Sequence, residues 1–312
     1  MRAASIDVGT NSIKMVVGES DTAGNISMLY ESSVNARLGK GLASTRLISI
    51  DAMNRGLEAI TDHITKARSF DVQRIRIVGT NVIRDATNSS ALIESVKHIH
   101  NIELEELSGN DEAKYAFLAI SSDSQLGAND EPQMVIDTGG GSTEMILGAG
   151  NQIISSVSLN IGAVRITETF LNEIPADGKS LAEARKSIRE ELVSYLDGKD
   201  PRRLICIGGS AINLARIHYG IQSKDTTDVH ACKLSLDDLE ATIGELAEMT
   251  LDERKALVGL EPERADIILG GALIIEQVLT ALGLQEALVS VRGLRHAILF
   301  EMLGSGRQQP IS

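Results

Sequence analysis

The chain has 312 residues, of which 43% are hydrophobic and 23% charged, values typical of a globular protein of roughly two domains. Its formal net charge of −13 disfavours general binding to nucleic acid or to an anionic membrane, and no apolar run is long enough to span a bilayer. Because the N-terminus shows no secretory leader, and Cys206 and Cys232 form neither a disulfide framework nor a metal-ligand cluster, we expect a cytoplasmic protein.

The first part of the chain predicts a β-hairpin, a third strand and then alternating strands and helices. SIDVGTNSIKMVVG, residues 5–18, has the apolar spacing of two strands joined by a tight glycine turn. Ser108 and Asp111 have capping-box spacing at the start of a helix. The further predicted elements are a strand around ISMLYES, a helix at 52–70, a strand at 74–80, a helix at 88–100 capped near Asn88, a strand at 102–107 and the helix from Ser108 to Ile120.

A polar stretch with Gly and Pro, residues 121–133, is the best candidate for a linker between domains. We therefore predict domains at 1–124 and 125–312, with a last helix at about 294–304 that can pack back on the first domain. The second domain is predicted to hold a hairpin at 134–148, strands at 152–162, 203–209 and 286–291, and helices at 163–171, 181–196, 235–249, 262–283 and 293–303.

The second hairpin repeats the first. VIDTGGGSTEMILG, residues 135–148, aligns without a gap to residues 5–18. The identical positions are Ile6/Ile136, Asp7/Asp137, Gly9/Gly139, Ser12/Ser142, Met15/Met145 and Gly18/Gly148. The fold class is therefore predicted as α/β, with two domains, each led by a Gly-turn hairpin, that face each other across a cleft suited to a ligand.

The residue types in both turns favour phosphate binding. Gly139, Gly140 and Gly141 let backbone N–H groups approach phosphate oxygens without interference from a Cβ atom. Ser142 belongs to the same turn, and the short donors at the first turn are Thr10, Asn11 and Ser12. A single such turn is more often only a tight turn. Its repetition favours a binding function.

Carboxylates at the same turns are candidates for a divalent cation, Mg²⁺ or Mn²⁺. Asp7 and Asp137 each end a strand and enter a glycine turn, where a carboxylate can hold Mg²⁺ directly or through water. Glu144, across the hairpin from Asp137, is a further candidate ligand or supporting carboxylate. The alternative is hydrogen bonding of each side chain to its own turn. We favour the metal for Asp137 and leave both interpretations open for Asp7 and Glu144.

Three Gly-rich segments, DVGTNSIK, DTGGGSTE and CIGGSAINLA, resemble those of the superfamily of actin, heat-shock chaperones and sugar kinases. The resemblance implies two actin-like (ribonuclease H-like) domains whose first two turns hold phosphates. It also implies that the third segment, with Gly208, Gly209 and Ser210 as phosphate-binding candidates, lies near a nucleoside. Within that superfamily, VGTNVIRDATN, LSGNDEAKYAFLAI, DTGGGSTEMILG and SLNIGAVRITETF are together similar to the exopolyphosphatase/guanosine pentaphosphate phosphatase family, from Ala4 to about Leu303.

The family resemblance places a catalytic base at Glu112, which would orient and deprotonate the water that attacks the terminal phosphorus. From its position alone, Glu112 would complement the helix dipole. Arg84, at the end of GTNVIR, would offer a fork of donors to phosphate oxygens. The other candidate cations are Lys14, Arg165 and Arg295, of which the last two are as readily explained by surface salt bridges.

The expected activity is release of terminal orthophosphate from inorganic polyphosphate, particularly short chains, by Mg²⁺-assisted water attack. Removal of the 5′-phosphate from guanosine pentaphosphate, phosphotransfer from ATP and nucleotide-dependent assembly are the alternatives. Longer relatives carry a C-terminal helical extension that we do not expect here, and Asn160 and Arg292 depart from the family pattern. A homodimer is expected if the apolar helix at 265–283 is exposed, whereas the same helix can equally be part of a core.

Overall fold

The computed structural model describes residues 1–127, 130–222 and 226–304, apart from the side chains of residues 226 and 227. Its contacts divide the chain into two compact units. The N-terminal unit comprises Met1–Tyr115 and the segment that begins at Leu294, and the C-terminal unit comprises Ala116–Gly293. Within the described residues, no helix combines the length and the apolar character needed to cross a bilayer.

The strands alternate with helices along most of the chain. The strands are β1 (Arg2–Val8), β2 (Ile13–Ser20), β3 (Ile26–Val34), β4 (Arg74–Gly79), β5 (Leu104–Glu106), β6 (Gln133–Thr138), β7 (Thr143–Ala149), β8 (Gln152–Leu159), β9 (Arg203–Ile207), β10 (Lys233–Ser235) and β11 (Glu286–Ser290). The α-helices are α1 (Leu42–Thr45), α2 (Ile50–Arg68), α3 (Asn81–Asp85), α4 (Ser89–His100), α5 (Gly109–Ser121), α6 (Ala163–Phe170), α7 (Gly178–Leu196), α8 (Gly209–Tyr219), α9 (Leu236–Glu248), α10 (Leu251–Lys255), α11 (Ile268–Leu282) and α12 (Leu294–Leu303).

The N-terminal unit is a five-stranded sheet in the order β3-β2-β1-β4-β5 with apolar side chains on both faces. Strands β1 and β4 run parallel, whereas β1, β2 and β3 form an antiparallel meander. Because side chains alternate across a strand, Ile6 and Met15 pack in the core that includes α2, while Ala3 and Val16 pack with α12. Coverage on both faces explains why consecutive residues of β1 and β2 are buried, without a regular alternation of buried and exposed positions.

The C-terminal unit has a six-stranded sheet in the order β10-β11-β9-β6-β7-β8. Helix α11 lies inside its core, and every residue from Ile268 to Leu279 is buried. The one acidic residue in that buried stretch, Glu276, accepts hydrogen bonds of 2.7–3.1 Å from Arg185 of α7. This ion pair fixes α11 against α7. The apolar helix is therefore a core helix and supplies no dimer surface, and the homodimer stays a prediction.

Two predicted features differ in the structure. The segment predicted as a linker is anchored, because the fully buried carboxylate of Asp123 lies 3.2 Å from both His230 and Arg292. Burial would raise the pKa of Asp123, but the His230 hydrogen bond, two backbone N–H donors and Arg292 hold it well below its usual range. Residues 128 and 129 of that stretch lie outside the described residues.

The predicted helix at 262–283 is a 3-10 turn, Pro262–Arg264, followed by α11.

The two hairpin-led α/β units were predicted from the sequence and are confirmed, and each has the sheet of an actin-like domain. No helix was predicted at α8, because Gly208 and Gly209 were assigned to the end of the predicted strand at 203–209, whereas α8 begins at Gly209. Asn88 does occupy the N-cap position of α4, but its side chain makes no cap hydrogen bond. Its amide instead bonds to the backbone N–H and C=O of Ile48, both at 2.9 Å.

Candidate active site

The first glycine turn, Gly9–Ser12, joins β1 to β2. The hydroxyl of Ser12 and the amide of Asn11 donate to Asn35 Oδ1 at 2.6 and 3.2 Å, so these side-chain donors are directed into the protein. The carbonyl oxygens of Thr10 and Asn11 accept hydrogen bonds of 2.8 Å from backbone N–H groups that follow β3. In a trans peptide, the next residue's N–H points opposite to the carbonyl. The N–H groups of Asn11 and Ser12 therefore point away from that segment, as an anion site requires.

The second turn has the same arrangement in the C-terminal unit. The carbonyls of Gly139 and Gly140 accept hydrogen bonds of 2.9 Å from Ala163 and Val164, at the start of α6. Since these carbonyls and that of Gly141 are all engaged, the N–H groups of Gly140, Gly141 and Ser142 point to the opposite side. A row of such N–H groups forms a concave anion site.

Close packing holds this second turn in place. A Cβ atom on Gly162, the residue before α6, would lie only 2.4 Å from the carbonyl oxygen of Gly140. Arg165, predicted as a phosphate ligand, donates from Nε to the carbonyl of Gly141 at 3.1 Å. The structure thus shows Arg165 supporting the turn from the α6 side. Its contact with phosphate stays a prediction.

Carboxylates meet across the second hairpin. Asp137 on β6 is the register partner of Glu144 on β7. Glu144 is 3% exposed, and its Oε1 accepts hydrogen bonds from Ser142 at 2.9 Å and from Ser158 at 2.7 Å. At the first hairpin, the equivalent partner of Asp7 is Lys14. Ser158 lies on β8, and the sequence offered no signal for its contact with Glu144.

The donor set at the second hairpin suits Mg²⁺ or Mn²⁺. Mg²⁺ in proteins is commonly bound by one or two carboxylates together with water and substrate phosphates. Gly208 leaves room beside Asp137, because a Cβ atom there would lie 3.0 Å from Asp137 Oδ1. In the part of the chain that the structure describes, no group of three or more His, Cys, Asp and Glu side chains is arranged to hold a metal. A site that relies partly on substrate oxygens fits these residues.

The third Gly-rich segment begins α8. Gly208 has φ +100°, a conformation that favours glycine, and it turns the chain from β9 into the helix. Gly209 lies against the guanidinium of Arg264, where a Cβ atom would be 2.3 Å from Cζ. Ser210, the next residue, is buried. Gly208 therefore has a backbone conformation and a close approach to the Thr138 carbonyl that other residues rarely allow, whereas the neighbour of Gly209 is a side-chain end. Phosphate binding here stays a prediction.

Arg84 and Glu112, the two predicted catalytic residues, are in contact inside the N-terminal unit. The Ser108 Oγ–Asp111 N–H hydrogen bond of 3.1 Å caps the start of α5, as predicted, and leaves Glu112 facing Arg84. Arg84 Nη1 donates to Glu112 Oε1 and, at 2.6 Å, to the carbonyl of Leu107. Among the described residues, Arg84 Nε and Nη2 donate to no protein acceptor. These two nitrogens form a fork of donors that suits a phosphate group.

Arg295, the last of the candidate cations, lies on α12 and forms an ion pair with Glu31. Its guanidinium donates to Glu31 on β3 at 2.7 Å, and His296 lies 3.2 Å from the same carboxylate oxygen. Burial would raise the pKa of Glu31, but the hydrogen bonds and charges of His296 and Arg295 lower it to about 2. The structure shows Arg295 fixing α12 on the N-terminal sheet. That is the salt-bridge alternative left open for it.

Comparison with known proteins agrees with this geometry. The model of the Ppx/GppA phosphatase family matches residues 15–306. The chain belongs to this family. Exopolyphosphatase 2 of Mycobacterium tuberculosis is 29% identical over 97% of this chain and 99% of its own length. Guanosine-5'-triphosphate,3'-diphosphate pyrophosphatase of Vibrio parahaemolyticus is 27% identical over 99% of this chain, which spans only 60% of that protein.

Two solved structures show the same Ppx/GppA architecture. The Aquifex aeolicus family member is 27% identical, with a TM-score of 0.83 and 99% of each chain covered. An exopolyphosphatase from Cytophaga hutchinsonii is 26% identical, with a TM-score of 0.90 and 98% of each chain covered. The predicted family, fold and hydrolase class are confirmed.

Proposed function

We propose that this Ppx/GppA phosphatase is a cytoplasmic exopolyphosphatase that releases terminal orthophosphate from inorganic polyphosphate. Two relatives bear on the choice of substrate. The exopolyphosphatase of M. tuberculosis, 29% identical over 97% of this chain, supports polyphosphate. The guanosine pentaphosphate enzyme of V. parahaemolyticus, 27% identical over 99% of this chain, supports the alternative. Guanosine pentaphosphate, whose hydrolysis breaks the same kind of phosphoanhydride bond, is the alternative.

The contact between Arg84 and Glu112 carries the proposal. The Leu107 carbonyl holds Arg84 Nη1 next to the buried Glu112, so both side chains have fixed positions. In the proposed reaction, Glu112 accepts a proton from the attacking water, and Arg84 Nε and Nη2 bind oxygens of the phosphate being cleaved. A base prepositioned in this way loses little conformational freedom in the transition state.

The two turns supply uncharged donors for phosphate oxygens. The outward N–H groups of Asn11 and Ser12 serve the N-terminal unit, and those of Gly140, Gly141 and Ser142 serve the C-terminal unit. Such fixed dipoles stabilise negative charge without reorganising during the reaction. They also permit an anion to bind to a chain whose net charge is −13.

Asp137 and Glu144 would hold Mg²⁺ or Mn²⁺. A bound divalent cation would neutralise charge on the phosphate groups. Ser142 and Ser158 keep Glu144 Oε1 in place, so the carboxylate is oriented before any metal binds.

The test is phosphate release in Mg²⁺ from tripolyphosphate, long-chain polyphosphate and guanosine pentaphosphate in parallel. Glu112→Gln is compared with wild type and with Glu94→Gln, the same substitution at an exposed site on α4. We expect release from a polyphosphate that falls by about a thousandfold in Glu112→Gln and is unchanged in Glu94→Gln. Preference for guanosine pentaphosphate would select the alternative. No release from any of the three by wild type would refute the hydrolase and direct the search to ATP-dependent phosphotransfer.

A further inference from the structure

We propose that residues 35–48, here called the basic loop, form a second anion subsite in the N-terminal unit. This subsite takes phosphate groups of a linear polyphosphate beyond the one being cleaved. The inference rests on the proposed function, and it predicts a preference for long chains in place of the short chains expected from the sequence. Its charged groups are Lys40 and Arg46, and Asn35 is a positioning residue.

The charge of the basic loop is the first observation. From Ser32 to Ile50 the chain has no acidic residue but contains Arg37, Lys40 and Arg46, in a protein with 43 acidic and 30 basic residues. The side chains of Lys40 and Arg46 are exposed, and within the described ranges of the chain neither makes an ion pair. Local positive charge of this kind is what a polyanion requires on an acidic protein.

One end of the basic loop is bonded to the first glycine turn. The N–H groups of Arg37 and Gly39 donate to the carbonyls of Asn11 and Thr10 at 2.8 Å, and Asn35 Oδ1 accepts from Ser12. The fully buried side chain of Leu38 anchors this end. The loop thereby plays the part in the N-terminal unit that the start of α6 plays at the second turn.

The other end is bonded to the segment that follows Arg84. The Arg46 carbonyl accepts hydrogen bonds from the N–H and hydroxyl of Thr87 at 2.9 and 3.1 Å. Two residues on, both backbone groups of Ile48 pair with the Asn88 amide. The basic loop therefore joins the two parts of the N-terminal unit to which phosphate binding is assigned, the first turn and the Arg84 motif.

The backbone conformation adds an independent reason. Arg37 and Arg46 have φ of +51° and +59°, the left-handed region that side chains other than glycine and asparagine rarely adopt. Glycine at either position would satisfy the turn at lower cost. The choice of arginine agrees with a use for its side chain, at least at the exposed Arg46. A linear polyphosphate carries negative charge along its whole length, beyond the phosphate being cleaved, and is the ligand that we assign to these cations.

The experiment compares Lys40→Gln, Arg46→Gln and their double variant with Lys97→Gln, which removes an exposed charge on α4 of the same unit. The Michaelis constant and kcat are measured for long-chain polyphosphate, tripolyphosphate and guanosine pentaphosphate. We expect the double variant to raise KM for the long chain by roughly tenfold, at little change in kcat, because each exposed ion pair contributes a factor of about three. The KM values for tripolyphosphate and guanosine pentaphosphate should rise less. Lys97→Gln should have the KM and kcat of wild type.

Equilibrium binding of long-chain polyphosphate at several salt concentrations tests the subsite without catalysis. The slope of log Kd against log salt should be shallower in the double variant than in wild type and Lys97→Gln. Asn35→Ala should weaken the binding of long-chain polyphosphate and of tripolyphosphate alike, because Asn35 acts through the first turn. Asn35→Asp should restore part of that binding. Equal Kd values for the double variant and Lys97→Gln would overturn the subsite. Failure of the wild type to hydrolyse polyphosphate while this binding difference persists would refute the proposed function alone.

Discussion

The guanidinium of Arg84 and the carboxylate of Glu112 form an ion pair although the two residues are 28 positions apart in the chain. One comes from a five-residue helix after β4, and the other from the first turn of α5. Both side chains are largely buried, at 20% and 10% exposure. Each residue therefore contributes to the stability of the fold as well as to the proposed chemistry, and activity measurements on either need a stability measurement beside them.

Removal of one member of this pair should destabilise the protein. We expect Arg84→Gln to lower the free energy of unfolding by about 2 kcal/mol, because it leaves the buried Glu112 carboxylate without its charged donor. The double variant with Glu112→Gln should lose less than the sum of the two single variants. Urea unfolding of all four proteins gives the coupling energy. Strict additivity would show that the pair is not formed in solution.

Substitution of Gly162 by alanine should displace the second turn, although Gly162 is not part of that turn. The added Cβ atom would lie 2.4 Å from the Gly140 carbonyl oxygen, so the turn must move. A shift of that size at a binding turn should reduce kcat/KM for phosphate release by roughly a hundredfold. Gly244→Ala is the control, since its Cβ atom meets nothing within 4 Å in α9. It should stabilise the helix by about 0.5–1 kcal/mol and leave kinetics unchanged. Normal kinetics in Gly162→Ala would refute the role given to the turn's position.

The structure shows which features of the candidate site could be predicted from the sequence and which could not. The glycine turns, their carboxylates and the helix that carries Glu112 are local patterns, and local patterns are readable from apolar spacing and capping residues. The contacts of Asn35 with Ser12 and of Ser158 with Glu144 are not local, since each joins residues from different strands or their ends. A polar residue at the end of a strand carries no mark of the partner it will meet. Asp123 illustrates the opposite error, because a polar composition predicted a linker where burial and an ion pair fix the chain.

The ion pair that fixes α12 should make stability depend on pH. Glu31 has its pKa lowered from 4.5 to about 2, so its contribution is complete above about pH 4.5 and is lost as the pH falls towards 2. Since Glu31 is 36% exposed, solvent screening reduces that contribution to about 1 kcal/mol. Urea unfolding of wild type and Glu31→Gln should differ by this amount at pH 7 and converge in acid. Glu58→Gln, an exposed site on α2, should show no such difference. A difference independent of pH would exclude the charge as its cause.

The carboxylates of the second hairpin should determine how activity depends on the concentration of Mg²⁺. We expect Asp137→Asn to raise the Mg²⁺ concentration for half-maximal activity by at least about a hundredfold, and Ser158→Ala by about tenfold, because Ser158 orients Glu144. Ser156→Ala, two residues earlier on β8, is the control. Direct binding of Mn²⁺, followed by electron paramagnetic resonance, should show the same order. Equal Mn²⁺ affinity in Asp137→Asn and wild type would remove Asp137 from the metal site.

At one of the aligned positions that differ between the repeated hairpins, the charge is opposite: Lys14 in the first and Glu144 in the second. Lys14 faces Asp7 across the first hairpin, so the opposite charges of these two residues compensate each other locally. Glu144 faces Asp137 across the second hairpin, and two such carboxylates would repel an anion in the absence of a cation. The proposed metal site predicts one bound divalent ion at the second hairpin. Under the proposed function, this exchange of lysine and glutamate would make one phosphate site independent of a divalent ion and the other dependent on it.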